Sequence, residues 1–318
     1  MLSAKLKRPE LLDPVRRNLN SMFYLLHPNY EVVTEISNRQ DRNQRGTMNG
    51  YWFPLRYLAM LDQNGQFATI ANHFTSAYSS LSTLMEYPEL AGPMPAEKPL
   101  PSNFRKDMGT LGIVRFRRGG TSATILSDNS TFFTLRKGDA VIQAVRFASA
   151  FFGKGQFVGS KTQAVGDEII LPQYLEAPYY QPLDPARKFS ASNWEEMRNH
   201  RAKSQVCRLT QTVGITEKPD GFQLRIEANG TKGVPVTVEI SFREGGQLAG
   251  CEQSGPETFL LSANKGSYSV GSDRIRFGPG LSEHRYTQVR GALPRMPGQT
   301  VYLTGFTPMK RTIGFEIS

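Results

Sequence analysis

Gly112-Ile113-Val114-Arg115-Phe116-Arg117-Arg118-Gly119-Gly120-Thr121-Ser122-Ala123-Thr124-Ile125-Leu126 is the stretch on which the fold turns. Two strand-like runs flank a Gly-Gly pair, the arrangement of a β-hairpin. Ser127-Asp128-Asn129-Ser130 then turns into Thr131–Leu135, and Lys137-Gly138-Asp139 turns into Ala140–Ala148. The same texture continues to the C-terminus. Further strands are expected at 205–213, 222–228, 234–242, 257–261, 274–277, 287–289 and 300–303. Short strands joined by turn residues argue an antiparallel β-sandwich rather than βαβ units. The stretch 172–204, with Tyr174, Tyr179, Tyr180 and Trp194 among prolines, reads as an irregular excursion.

Upstream of this hairpin the texture is helical. Asp13-Pro14 reads as an N-cap followed by Pro at the first helical position, and Val15, Leu19, Met22, Phe23 and Leu26 recur on one face. A second helix is expected from about Tyr51, with Phe53, Tyr57, Leu58 and Leu61 inward and Asn64-Gly65 closing it. A third carries Phe67, Ile70, Ala71, Phe74, Tyr78, Leu81 and Met85. Pro88, Pro93, Pro95, Pro99 and Pro101 read as a linker. The fold class is therefore α+β. A helical domain over 1–100, ending in the Pro-rich linker, precedes an antiparallel β-sandwich over 101–318.

The composition is that of a globular chain, with 39% hydrophobic and 21% charged residues among 318. No apolar run is long enough to cross a membrane as a helix. The N-terminal residues have charge but no apolar signal region. A formal net charge of +10 favours an acidic partner. His27, His73, His200 and His284 show no metal-ligand spacing, and Cys207 and Cys251 form no CxxC. Neither metal nor cofactor is expected, and the two cysteines are expected as buried single thiols.

Among motifs, Gly153-Lys154-Gly155 and Gly159-Ser160-Lys161-Thr162 lack the spacing and the strand-to-helix turn of a phosphate loop. They read as turns. No G-x-S-x-G elbow is present, although a serine triad is assembled in space rather than in sequence. No RNA-recognition or zinc-finger pattern favours nucleic acid. The most chemically loaded stretch is Glu31–Arg45 followed by Tyr51-Trp52, a long polar loop. Arg39 and Arg42 offer fork-like donors for a carboxylate or sulfate, Gln40 and Asp41 offer polar contacts, and Trp52 offers a face for a sugar ring.

Two segments carry a likeness to a known family. His27-Pro28-Asn29-Tyr30-Glu31-Val32-Val33-Thr34-Glu35-Ile36-Ser37, followed by Tyr51–Ala59, is one; Gly112–Ala140 is the other. By their order and texture the chain resembles the heparinase II/III-like polysaccharide lyases, which join an α/α toroid to a C-terminal β-sandwich. The resemblance implies that the helical piece is a partial toroid. It implies β-elimination on an acidic, uronate-containing polysaccharide, either by this chain or by a longer protein of which it is the C-terminal portion. It also implies a periplasmic or secreted location; a complete chain of this sequence would be cytoplasmic. Such a reaction needs an acid, a base and a group that neutralises the uronate carboxylate. Tyr30 and Tyr51 are the candidate catalytic residues, and Arg39, Gln40, Asp41, Arg42 and Trp52 the candidate substrate contacts. Two departures stand in the sequence: Asn38-Arg39-Gln40 where the family has its tyrosine, and no histidine in Ile125–Phe132. A non-catalytic carbohydrate-binding or structural protein on the same scaffold is the alternative.

Overall fold

The computed structural model describes residues 2–74, 81–160 and 163–318. It divides into two compact units, Met1–Met108 with Ile113–Thr124, and Gly109–Gly112 with Ile125–Ser318. Residues 101–108 and 113–124 thus belong with the helices, beyond the residue-100 boundary expected from the sequence.

In unit 1, α1 (Leu2–Lys5) and a 3-10 turn (Pro9–Leu12) lead into α2 (Asp13–Met22). Asp13 is the first residue of α2 and not its cap. Leu12 holds the cap position, and Asp13 Oδ1 accepts from Arg16 Nη1 at 3.1 Å. Arg16 also grips Asp62 through two 2.7 Å bonds, tying α2 to the end of α3 (Trp52–Leu61). Trp52, Leu55, Leu58 and Ala59 form the buried stripe of α3. Phe53, Tyr57 and Leu61 lie on the adjoining i+4 row instead, and Leu61 is 52% exposed. Asn64 closes α3, its N–H donating to Ala59 O at 2.9 Å after Gln63 at φ +51°, and its side chain also caps α4 (Gly65–His73), accepting from the N–H groups of Gln66 and Phe67. Phe67, Ile70, Ala71 and Phe74 are buried as expected. Tyr78 lies outside the described residues, and α5 (Leu81–Glu86) comes after it in the chain.

The proline-rich segment is a strap rather than a free linker. Arg56 donates to the carbonyls of Leu90 and Gly92. Lys98 N–H donates to Gly65 O at 3.1 Å, and Thr69 Oγ1 donates to Lys98 O at 2.7 Å. Met94 and Leu100 pack on the helical core. Proline suits such a strap because it is already extended and needs no ladder donor. After it, β1 (Asn103–Met108) pairs antiparallel with β2 (Ile113–Arg118), which precedes β3 (Thr121–Leu126).

Unit 2 is a sandwich. Its first sheet runs from the end of β3 through β4 (Phe133–Lys137), β5 (Ala140–Ser149), β10 (Pro235–Phe242), β16 (Thr300–Phe306), β13 (Thr258–Leu260) and β12 (Glu252–Gly255). Its second runs β11 (Gln247–Ala249), β14 (Gly266–Val270), β15 (Asp273–Gly278), β17 (Met309–Ile317), β9 (Gly221–Gly230), β8 (Lys203–Lys218), β7 (Glu168–Tyr180) and β6 (Gln163–Val165). Pairing is predominantly antiparallel, with β13 and β16 parallel. Aromatic rings join the two sheets: Phe133 meets Phe222 and Phe315 at 5.4 and 5.8 Å, and Phe242 meets Tyr268 and Phe277 at 4.5 and 5.2 Å.

One expectation from the sequence does not hold in this unit and another holds in part. The stretch 287–289 forms no strand. The stretch 172–204 is irregular over 181–202, but its two ends belong to β7 and β8, which form a long ribbon over Ile169–Tyr180 and Lys203–Ile215. Its prolines sit at Pro172 and Pro178, in the same alternation phase and beyond the span covered by β6. Pro172 O accepts from Ser160 N–H, away from β8, so a missing N–H at that phase costs no bond to β8. The ribbon tip, 181–202, carries a short helix, α6 (Trp194–Met197). Cys207 is buried and Cys251 half-buried, and both are free thiols.

Candidate functional site

The turn His27–Tyr30 sits at the centre of unit 1's polar chemistry. His27 N–H donates to Glu31 O at 2.8 Å, and Tyr30 N–H donates to His27 O at 3.0 Å. Asn29 Oδ1 accepts from Glu31 N–H. Tyr30 closes this turn with φ at +64°, which a tyrosine adopts only when its surroundings hold it. Isolated bridges from Val32 to Leu26 and to Gly46 fasten the chain just beyond the turn.

On the inner side, His27 enters a buried network. Its Nδ1 pairs with Ser122 Oγ at 2.8 Å, and its Nε2 faces Glu35 Oε2 at 3.4 Å. Thr124 Oγ1 donates to Glu35 Oε1 at 2.6 Å. Arg115 Nη1 donates to Thr124 Oγ1 and to Ala123 O, and Arg115 Nε donates to Tyr24 O. Strand alternation explains the set: Ser122 and Thr124 project from one face of β3. Burial opposes ionisation of Glu35, but His27, then Arg115 and the Thr124 hydroxyl outweigh it and hold the carboxyl well below the usual range. The order Ser–His–Glu has the outline of a hydrolase triad. However, Ser122 is 1% and His27 5% exposed, so the hydroxyl has no path to a substrate. The network fastens the turn to β2 and β3.

On the outer side, Tyr30 stacks on His73 of α4, with centroids 4.0 Å apart and planes within 16°. Phe74 meets Tyr30 edge-on at 6.4 Å. Arg117 lies two residues beyond Arg115 on the same face of β2 and interacts electrostatically with Tyr30, while burial lowers its pKa from the usual arginine value. Tyr30 and Arg117 are half-buried and His73 is exposed, so phenol, imidazole and guanidinium share one accessible patch.

Comparison of the sequence with known protein families and with curated proteins finds no match.

The other residues singled out from the sequence lie apart from a common stacking surface. Arg39, Gln40 and Asp41 are exposed and Arg42 is half-buried. The loop is closed on itself: Ser37 Oγ donates to Asp41 Oδ1 at 2.6 Å, and Gln44 Nε2 donates to Gln40 O at 2.7 Å. Tyr51 is 39% exposed at the end of a 3-10 turn. Trp52 is 4% exposed in the helical core, so it offers no face to a sugar. Its pattern position, at the start of an apolar helix stripe, is the signal for that burial. His73 and Arg117 escape a reading of the sequence because each looks like an ordinary polar residue on its own element.

Proposed function

We propose that this chain engages an acidic, uronate-bearing polysaccharide through the patch of Tyr30, His73 and Arg117, and that β-elimination is the reaction this patch serves. The stacked Tyr30–His73 pair beside a guanidinium is the observation that carries the reading. Arg117 pairs with the uronate carboxylate and makes the adjacent C–H more acidic. A neutral imidazole accepts a proton and a phenol holds one, which assigns the base to His73 and the acid to Tyr30. The C–H electrons form the ring double bond, the bond to the 4-linked oxygen breaks, and that oxygen takes the phenol proton. In this reading the helices of unit 1 are a partial toroid, and the protein works in the periplasm or outside the cell.

The experiment is turnover of a panel of uronate polysaccharides, followed by the ultraviolet absorbance of the unsaturated product. Tyr30→Phe and His73→Ala should each lower the rate by about 10²–10⁴-fold, the range for general acid–base groups, while binding persists. Absence of both binding and product across the panel would sink the proposal. A second reading is binding without turnover. It is favoured by the histidine-free stretch Ile125–Phe132 and by the exposed Arg39, Gln40 and Asp41. Binding with no absorbance change would select it.

A further inference from the structure

We infer that unit 2 carries a separate saccharide site, a cleft of about 350 Å³ that takes an anionic pyranose residue such as a uronate. Phe151 and Cys207 line the cleft and belong to a small apolar cluster with buried Ala177 and Leu209. Its wall is aromatic: Phe152 meets Tyr179 at 4.9 Å, and Tyr179 is 54% exposed. The polar residues that line it are Gln205, Thr231 and Arg290. This pattern of a flat apolar face with few convergent donors is what a sugar ring needs, its C–H face on the aromatics and its hydroxyls on the rim.

Two further observations direct the site to an anion and show that it is built. Arg290 is exposed and enters no ion pair among the described residues. A guanidinium with open donors recognises a carboxylate through two parallel bonds. Next, the backbone is drawn in to place it. Gly291, at φ +92°, approaches Gly153 so closely that a Cβ there would lie 2.5 Å from the Gly153 carbonyl carbon. Phe152 itself stands at φ +50°, an outlier for a bulky residue, with its ring turned to the cleft beside Tyr179. Phe152 and Arg290 are therefore set side by side by a contact that only glycine permits.

The test is calorimetry of the full chain with trigalacturonate and a hyaluronan hexasaccharide as anionic probes and maltotriose as the neutral one. Arg290→Gln, an exposed change with its fold checked by thermal melting, should weaken the anionic probe about tenfold, as for loss of a charged hydrogen bond. Tyr179→Ala should weaken it comparably. Arg274→Gln, at an exposed arginine that does not line the cleft, should leave it unchanged, and protection of Cys207, which lines this cleft and not the Tyr30 patch, separates the two sites. Cys207 supplies a direct readout: the bound probe should slow its alkylation by iodoacetamide and leave Cys251, whose thiol burial pushes up to about 11, unaffected. Binding equal in Arg290→Gln and wild type, no protection of Cys207, equal affinity for maltotriose, or no binding of either anionic probe would each overturn the inference.

Discussion

Glu35 shows how one side chain ties several elements together. It receives Thr124 from β3, faces His27 from the turn, and lies 3.9 Å from Arg115 of β2. Because its folded pKa is depressed, the stability it contributes is present above its unfolded value near 4.5 and is lost as pH falls below that value. Urea melts should therefore show the wild type weakening on acidification from about pH 4.5 downward. Glu35→Gln should cost about 3–5 kcal/mol at pH 7, since it leaves Arg115 buried without its carboxylate, and should flatten the acid dependence. An unchanged acid profile in that variant would mean that Glu35 is not the group whose protonation weakens the fold. None of this is visible in the sequence, where Glu35 reads as one more charge in a polar loop. Residues separated by some ninety positions meet only after β2 and β3 form.

Elements are legible where their pattern is local. The runs 113–118, 121–126 and 140–148 form β2, β3 and β5 because alternation and Gly turns fix a hairpin over a few residues. Failures come where a distant partner decides the outcome. β7 hides its prolines on a phase that does not face β8, so by sequence alone the strand looks like a loop. In α3, residues 53, 57 and 61 also satisfy helical spacing, and only tertiary packing selects the row of 55, 58 and 59. The strap offers a measurable case. A Cβ at Gly65 would sit 2.3 Å from Ala96 O, whereas Gly50 has nothing within 4 Å. Gly65→Ala should cost about 1–3 kcal/mol by overpacking, despite alanine's better helix propensity. Gly50→Ala is the control, and thermal denaturation of both reads the difference. Equal melting temperatures would mean the strap is not held against α4.

At the scale of the whole chain, the +10 net charge favours an anionic partner. The candidate site is only partly legible at this scale, because Tyr30 stands out in the sequence while His73 and Arg117 join it through folding. The long β7–β8 ribbon has a different consequence. Its tip exposes Arg187, Lys188 and Arg198, with Arg201 half-buried, while the ladder behind it continues from Tyr180 and Lys203 to Ile169 and Ile215. Brief trypsin treatment should nick the tip first, giving two bands on a denaturing gel and one undivided peak in native gel filtration. Early cleavage elsewhere, or separation of the pieces, would refute this. The molecule should thus be severable at one point without coming apart. Two separately made pieces, ending and beginning near Ser190, should find each other and zip, which makes the tip a natural seam for complementation assays, permuted termini or an inserted reporter.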